Sequence, residues 1–299
     1  MSDHLVRAMV EDADLRALAV VATDAAREAS RRHRCAGTAG LALGEGILAG
    51  LLLARLHKLP RRVNLQIACD GPLRGVVVDA DAEGRVRGYA RVPSVDFPSA
   101  KGSLLGPAFG SSGLVNVLRE MTPGTWYQGT VEMPARSIAR GVEAYLSASE
   151  QVESIIHLVV RQDAEGGIGA AVGVLFQRLP EGNRAAMAAI RARLDEGAVL
   201  EWLEGEAGAP AAGRLLDHIM GGAEGKGGEN LQFFDRTGVA FHCDCDRSRV
   251  IGILGSLPAA DLQEMIEEGR AEVTCDFCGD SYEVPAQELA ELLAAKTRS

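Results

Sequence analysis

Two cysteine pairs near the C-terminus, Cys243-Asp244-Cys245 and Cys275-Asp276-Phe277-Cys278, are separated by twenty-nine residues and hold four of the chain's six cysteines. This spacing suits a metal. A zinc ion takes four thiolates in a tetrahedron, and two short chelating loops can each bring two from a segment with little core of its own. Structural zinc ribbons mostly place two to four residues between paired ligands, so the single spacer of the first pair points to a site that does more than scaffold.

The metal would decide whether such a segment folds. Structural zinc contributes on the order of 10 to 16 kcal/mol at neutral pH, against the ~5 to 15 kcal/mol that stabilises a whole domain. Zinc-held sulfur is also the thiolate that oxidants attack. Closing a disulfide inside C-x-C or C-x-x-C would remove ligands and release the metal. On the residues alone, an inert staple and a redox switch both remain open.

The surrounding sequence narrows the classes. Residues 1–180 hold 20 Lys and Arg against 19 Asp and Glu, and residues 235–299 hold 6 against 13. A ribbon that grips nucleic acid presents a basic face to phosphate, so this acidic segment argues against a nucleic-acid reader. The most apolar stretch, Ala36 to Leu56, is interrupted by Glu45 and five glycines. It reads as a buried helix and not a bilayer span, which needs ~20 predominantly apolar residues. With no secretory signal in the N-terminal sequence, the expected address is cytoplasmic, where paired cysteines serve as metal ligands or redox thiols.

Periodicity gives an α+β protein. A helix is expected over Asp12–Arg32 and another from about Ala39 to His57. A meander follows through Val63–Cys69, Val76–Val78 and Arg85–Val92. Next come a strand at Trp126–Met133, a helix at Arg136–Ser149, and a hairpin of Ile155–Arg161 and Ile168–Gln177. Residues 1–178 read as an N-terminal mixed sheet-and-helix domain. Residues 179–235 read as a linker of short amphipathic helices, with Met187, Ile190, Leu194, Trp202, Leu215 and Ile219 needing a surface to pack on. The linker includes Gly221–Gly228, a run of five glycines in eight residues. Residues 236–299 form the small cysteine module, its second pair at a hairpin turn where Gly279 supplies an unusual backbone conformation.

Other motifs carry less. Cys35 and Cys69 are single cysteines in apolar patterns and read as core. His242 adjoins Cys243, but four thiolates already complete a tetrahedron. Gly44-Glu45-Gly46 has the wrong spacing for a dinucleotide loop and reads as close helix packing. Gly110-Ser111-Ser112-Gly113 misses the nucleophile-elbow pattern, and Gly225-Lys226-Gly227 lacks the parts of a phosphate loop. With no catalytic constellation, the chain is not expected to be an enzyme. The competing readings are a thiol-disulfide oxidoreductase working through Cys275 and Cys278, and a zinc-dependent nucleic-acid binder.

The C-x-C and C-x-x-C-G pairs at this spacing and position closely resemble the bacterial redox-regulated heat-shock chaperones of the thirty-three-kilodalton class. So do Cys69-Asp70-Gly71-Pro72-Leu73, Arg87-Gly88-Tyr89-Ala90-Arg91, Tyr127-Gln128-Gly129, Tyr145 with Ser149-Glu150-Gln151, and Phe241 to Cys245. The sequence departs from that pattern between Pro180 and Asn230 and at Asp246, where the family often has serine. The resemblance implies a cytosolic, ATP-independent holdase, inactive while Cys243, Cys245, Cys275 and Cys278 bind one Zn2+. It implies oxidation to disulfides joining Cys243 with Cys245 and Cys275 with Cys278, zinc loss, unfolding of module and linker, capture of unfolding client proteins, and a homodimer when oxidised. It implies no nucleic-acid or membrane partner.

Overall fold

A computed structural model of the chain describes residues 3–56, 62–97, 105–205, 211–221 and 231–296. The chain divides into two compact units, residues 1–242 and 243–299.

The first unit is built on two sheets. Strands β1 (His4–Val10) and β2 (Leu15–Val21) precede helices α1 (Thr23–Arg32) and α2 (Gly37–Leu56). A meander follows of β3 (Arg62–Cys69), β4 (Gly75–Asp81) and β5 (Arg85–Ala90). A single turn, α3 (Gly106–Phe109), leads into the hairpin β6 (Gly113–Thr122) and β7 (Thr125–Glu132). Helix α4 (Ile138–Tyr145) runs on into a π-helical turn, Leu146–Glu150, before a second hairpin, β8 (Ser154–Gln162) and β9 (Ile168–Arg178). Helices α5 (Arg184–Asp195), α6 (Ala198–Gly205) and α7 (Ala212–Gly221) come next, then β10 (Leu231–Gly238) and β11 (Ala240–Phe241). One sheet has the order β10-β1-β2-β9-β8 and the other β11-β5-β4-β3-β6-β7.

Helix α2 is the centre of the main core. Its apolar residues pack with Leu18, Val20, Ile156 and Val160 of the first sheet and with Leu65, Val76, Val78 and Val115 of the second. Its glycines set the spacing. A Cβ on Gly44 would stand 3.0 Å from the Val160 side chain, and one on Gly50 would stand 2.8 Å from Val78. The glycines of the expected buried helix are therefore points of contact with both sheets, and the helix, although long and apolar enough to cross a membrane, is spent on the interior.

The expected helix over Asp12–Arg32 is corrected by the structure. Residues 15–21 form β2, and only Thr23–Arg32 is helical. In β2, Leu18 and Val20 face the α2 core, whereas Leu15, Ala17, Ala19 and Val21 join a second cluster on the opposite face of the sheet. A strand buried on both faces loses the alternation that marks strands, and its alanines then read as helical. Strand β10 was also unexpected. It pairs antiparallel with β1, and Arg7 and Arg55 both ion-pair Asp235 across the join.

The second cluster explains what the linker helices rest on. Met187, Ile190, Leu194, Val199, Trp202, Leu215, Leu216 and Ile219 of α5–α7 cover Val6, Ala8, Val159, Val172, Val174 and Phe176 on the outer face of the five-stranded sheet. Asn183 caps α5 by accepting from the amides of Ala185 and Ala186. The three helices have 12, 8 and 10 residues, lengths at which an isolated helix is marginal, so their order depends on this sheet face. Of the glycine run 221–228, only Gly221 lies within the described residues.

Glu45 is the anomaly of the core. It is buried in α2, one carboxyl oxygen has no hydrogen-bond partner, and burial alone pushes its pKa well above the usual carboxylate range. An acid whose folded pKa is raised binds its proton more tightly folded than unfolded. Its contribution to stability is fully present below the unfolded carboxylate value, about 4.3, and is lost as pH rises toward the folded pKa. Glu45→Gln removes this proton uptake. In denaturant titrations between about pH 5 and 8, the stability of Glu45→Gln relative to wild type should rise with pH; parallel profiles would show that the carboxyl is not titrating against folding.

Candidate metal centre

The second unit contains α8 (Arg247–Ser256), α9 (Ala259–Glu267), the hairpin β12 (Arg270–Thr274) and β13 (Ser281–Pro285), and α10 (Ala286–Lys296). Its core is small, with Val250, Leu254, Leu262, Ala271, Val284 and Leu289 buried together. A two-stranded sheet over so few apolar side chains is marginal in water.

The two cysteine pairs are held by different local devices. The first precedes α8, whose N-cap is Asp246: its carboxylate accepts from the Arg249 amide and the Ser248 hydroxyl, both at 2.8 Å. Aspartate and serine are both strong N-caps, so the departure at Asp246 keeps a side chain able to cap α8. The second pair forms the turn of the β12–β13 hairpin. The Cys275 amide donates to the Asp280 carbonyl at 2.9 Å, and the Gly279 amide donates to the Cys275 carbonyl at 2.8 Å. Gly279 has φ +75°, the left-handed conformation expected of it.

The four sulfurs converge. Their Sγ atoms all lie within 4.8 Å of one another, and no carboxylate or imidazole joins the group among the described residues. The Sγ of Cys243 is 3.8 Å from that of Cys275, and the Sγ of Cys245 is 3.0 Å from that of Cys278. A tetrahedral ion with bonds of ~2.3 Å to sulfur separates its ligands by about 3.8 Å, so the donor set fits a thiolate-bound metal once the closest pair, at 3.0 Å, opens and the wider separations, up to 4.8 Å, draw in. Burial raises the pKa of Cys278 first, with the neighbouring thiols adding to it, and burial likewise raises that of Cys245. Four crowded sulfurs cannot all ionise without a cation, and a bound dication reverses that preference.

Tyr282 was missed by sequence reasoning. Its hydroxyl donates to the Cys245 carbonyl at 3.2 Å and lies 3.3 Å from the Cys245 sulfur, and the hydrogen bond with Cys245 raises the phenol's pKa. An aromatic residue with a polar tip, four residues after Cys278 and second in β13, was the available signal. Arg247 secures the other flank by donating to the Glu283 carbonyl and ion-pairing Glu288.

The remaining candidates fall outside this group. Cys35 and Cys69 pack against the main core of the first unit. Burial pushes the Cys35 thiol up to about 11 and also raises Cys69, leaving both poor nucleophiles. His242 ends the first unit with its amide donating to the Val86 carbonyl. Ser111 and Ser112 direct their amides, and Ser111 its hydroxyl, at the Asp70 carboxylate, which closes a loop and creates no nucleophile.

Comparison with known proteins agrees over the whole chain. The family model described as Hsp33 protein matches residues 3–285. The 33 kDa chaperonin of Cyanothece sp. is 39% identical over 304 residues, covering 98% of this chain and 97% of its own. That of Gloeobacter violaceus is also 39% identical over 304 residues, covering 100% and 97%. The crystal structure of the 33 kDa chaperonin (heat shock protein 33 homolog) from Thermotoga maritima matches with a TM-score of 0.84 at 25% identity, covering 100% of both chains. Fold and site define an α+β protein ending in a metal-competent four-thiol module. The chain belongs to the Hsp33 family.

The N-cap provides a test of how the first pair is held. Asp246→Ala should lower the melting temperature of the metal-loaded protein's C-terminal transition, and Asp246→Ser should restore it. Equal melting of all three would remove the cap from the site's support.

Proposed function

We propose that the chain is a redox-activated, ATP-independent chaperone that holds unfolding or oxidatively damaged proteins. The observation that carries this reading is the convergence of four sulfurs from two separate turns onto a unit whose own core is slight. Membership in a family whose named relatives are 33 kDa chaperonins supports it.

In this reading Cys243, Cys245, Cys275 and Cys278 bind one Zn2+ in the reduced protein. An all-sulfur set with tetrahedral capacity favours zinc over hard oxygen-seeking cations. Bound zinc supplies the positive charge that keeps the four sulfurs as thiolates. Peroxide takes two electrons from a thiolate to give a sulfenic acid and hydroxide. The neighbouring thiolate then displaces hydroxide from that sulfur and closes the disulfide. The proposed bonds join Cys243 with Cys245 and Cys275 with Cys278. Each would consume two ligands, so these residues could no longer hold the metal and the module would lose its principal support.

The functional parts proposed are an N-terminal domain, 1–178, a linker, 179–235, and a redox-switch module, 236–299. The arrangement of α5–α7 supports a role for the linker, because these short helices cover a continuous apolar sheet face. Their release would present Val6, Val159, Val172, Val174 and Phe176 to an unfolding client. We further propose a cytoplasmic address, dimerisation of the oxidised form, no enzymatic activity and no nucleic-acid or membrane partner. The acidic composition, with a formal charge of −10, supports the exclusion of nucleic acid.

Light scattering from a heat-unfolding enzyme tests the switch. Peroxide-treated protein should suppress aggregation and reduced, zinc-loaded protein should not; equal suppression by both contradicts the redox control. Replacing Cys275 and Cys278 together by serine should reduce zinc below one ion per chain, and unchanged zinc would remove these residues from the ligand set.

A further inference from the structure

The two sheets of the first unit leave four edges, and three of them carry devices that discourage pairing with another chain. On β8 the Ile156 amide donates to the Glu143 carboxylate at 2.7 Å. Strand β10 carries Asp235 and Arg236, with Asp235 clamped by Arg7 and Arg55. Strand β11 has two residues. The fourth edge, β7, runs for eight residues with the sequence TWYQGTVE, containing no proline and a single charge at its last position. Its ladder with β6 shifts register only beside the turn, between Glu120 and Thr122.

The phase of that ladder shows which groups face outward. The Met133 amide donates to the Gly113 carbonyl at 2.8 Å. Bonded and non-bonded pairs alternate in an antiparallel ladder, so Val131, Gly129 and Tyr127 exchange bonds with β6, and Gln128 and Thr130 turn their amides and carbonyls away from it. Among the described residues those outward groups have no backbone partner. Successive side chains alternate in face, which places Trp126, 42% exposed, on one side of the strand and Tyr127, 45% exposed, on the other. The Arg119 guanidinium lies 5.5 Å from the Tyr127 ring centre and positions it.

We propose that the β7 edge is a docking site for an extended segment of an unfolded polypeptide, which adds as a seventh strand to the six-stranded sheet. The inference rests on the chaperone reading and names the surface through which part of that activity would run. Strand addition bonds the backbone, which every unfolded chain offers, and the two aromatic rings grip apolar side chains on either face without demanding a sequence. A near-neutral edge imposes no charge selection. A second copy of the chain pairing through the same edge is the competing occupant, and dependence on protein concentration separates it from a client. One edge gives a weak grip, and a client that also reaches the apolar face beneath α5–α7 would be held at two points with a gain in avidity.

The experiment uses the full, peroxide-treated chain with reduced, carboxymethylated lactalbumin as a permanently unfolded probe. Binding is followed by fluorescence anisotropy, and amide exchange is followed along β7. The proposal expects the Gln128 and Thr130 amides to exchange about tenfold more slowly with the probe bound. It expects Gln128→Pro, which deletes an outward donor and leaves the β6 ladder intact, to weaken binding by about tenfold. Thr130→Pro, which deletes the other outward donor, should weaken it in the same direction, and circular dichroism checks that both variants fold. Undiminished binding by both folded variants, with β7 unprotected, overturns the edge and leaves the chaperone reading standing. Protection of β7 that appears without probe and grows with protein concentration overturns it in favour of self-pairing. Failure of the wild-type oxidised protein to bind the probe overturns both.

Discussion

Four sulfurs drawn within 4.8 Å of one another are the constraint around which the C-terminal unit is arranged. A hairpin, three short helices and a handful of buried apolar side chains do not make a self-sufficient domain, and the residues around the cysteines are arranged to present ligands. Asp246 starts α8 immediately after the first pair, and the Gly279 turn closes the second. A metal at this point would hold together elements that have little other reason to remain together. The same sulfurs are oxidisable, so the groups that would hold the metal are also the ones an oxidant would attack.

The first unit has the opposite character. Helix α2 is buried between two sheets, and its glycines bring valines from both against the helix backbone. This core needs no ligand. Its five-stranded sheet is nonetheless apolar on both faces, and the outer face is covered by α5–α7, three helices too short to persist alone. A stable sheet with a marginal cover provides a physical basis for a surface that can be uncovered without loss of the fold beneath it. The chain leaves this unit through β10 and β11 and reaches Cys243 in the next residue after His242.

Much of the candidate metal centre was legible because a chelating pattern writes itself into spacing: cysteines one or two residues apart, the second pair followed by a glycine at a left-handed turn. Its supports were less so. The carbonyl of Cys245 and the hydroxyl of Tyr282 meet across 37 residues, and no local pattern announces the contact. In the fold, alternation identified the meander and the β8–β9 hairpin, where hairpin partners lie close in sequence. It failed at β2, because Leu15–Val21 is apolar on both faces, and it gave no sign of β10, whose partner β1 lies more than two hundred residues earlier. The exposed pattern of β10 resembles a loop, and the Asp235 clamp that fixes it requires Arg7 and Arg55 from distant elements.

The central claim is that loss of the metal uncovers the sheet face beneath α5–α7. The chain has two tryptophans, and one of them, Trp202, is only 6% exposed in that cover. In a Trp126→Phe protein the remaining tryptophan reports on the cover alone, and a zinc-sensitive dye records metal release in the same cuvette. On peroxide treatment the account predicts that Trp202 emission shifts to the red as zinc leaves. Complete zinc release with Trp202 still emitting as a buried residue would contradict it.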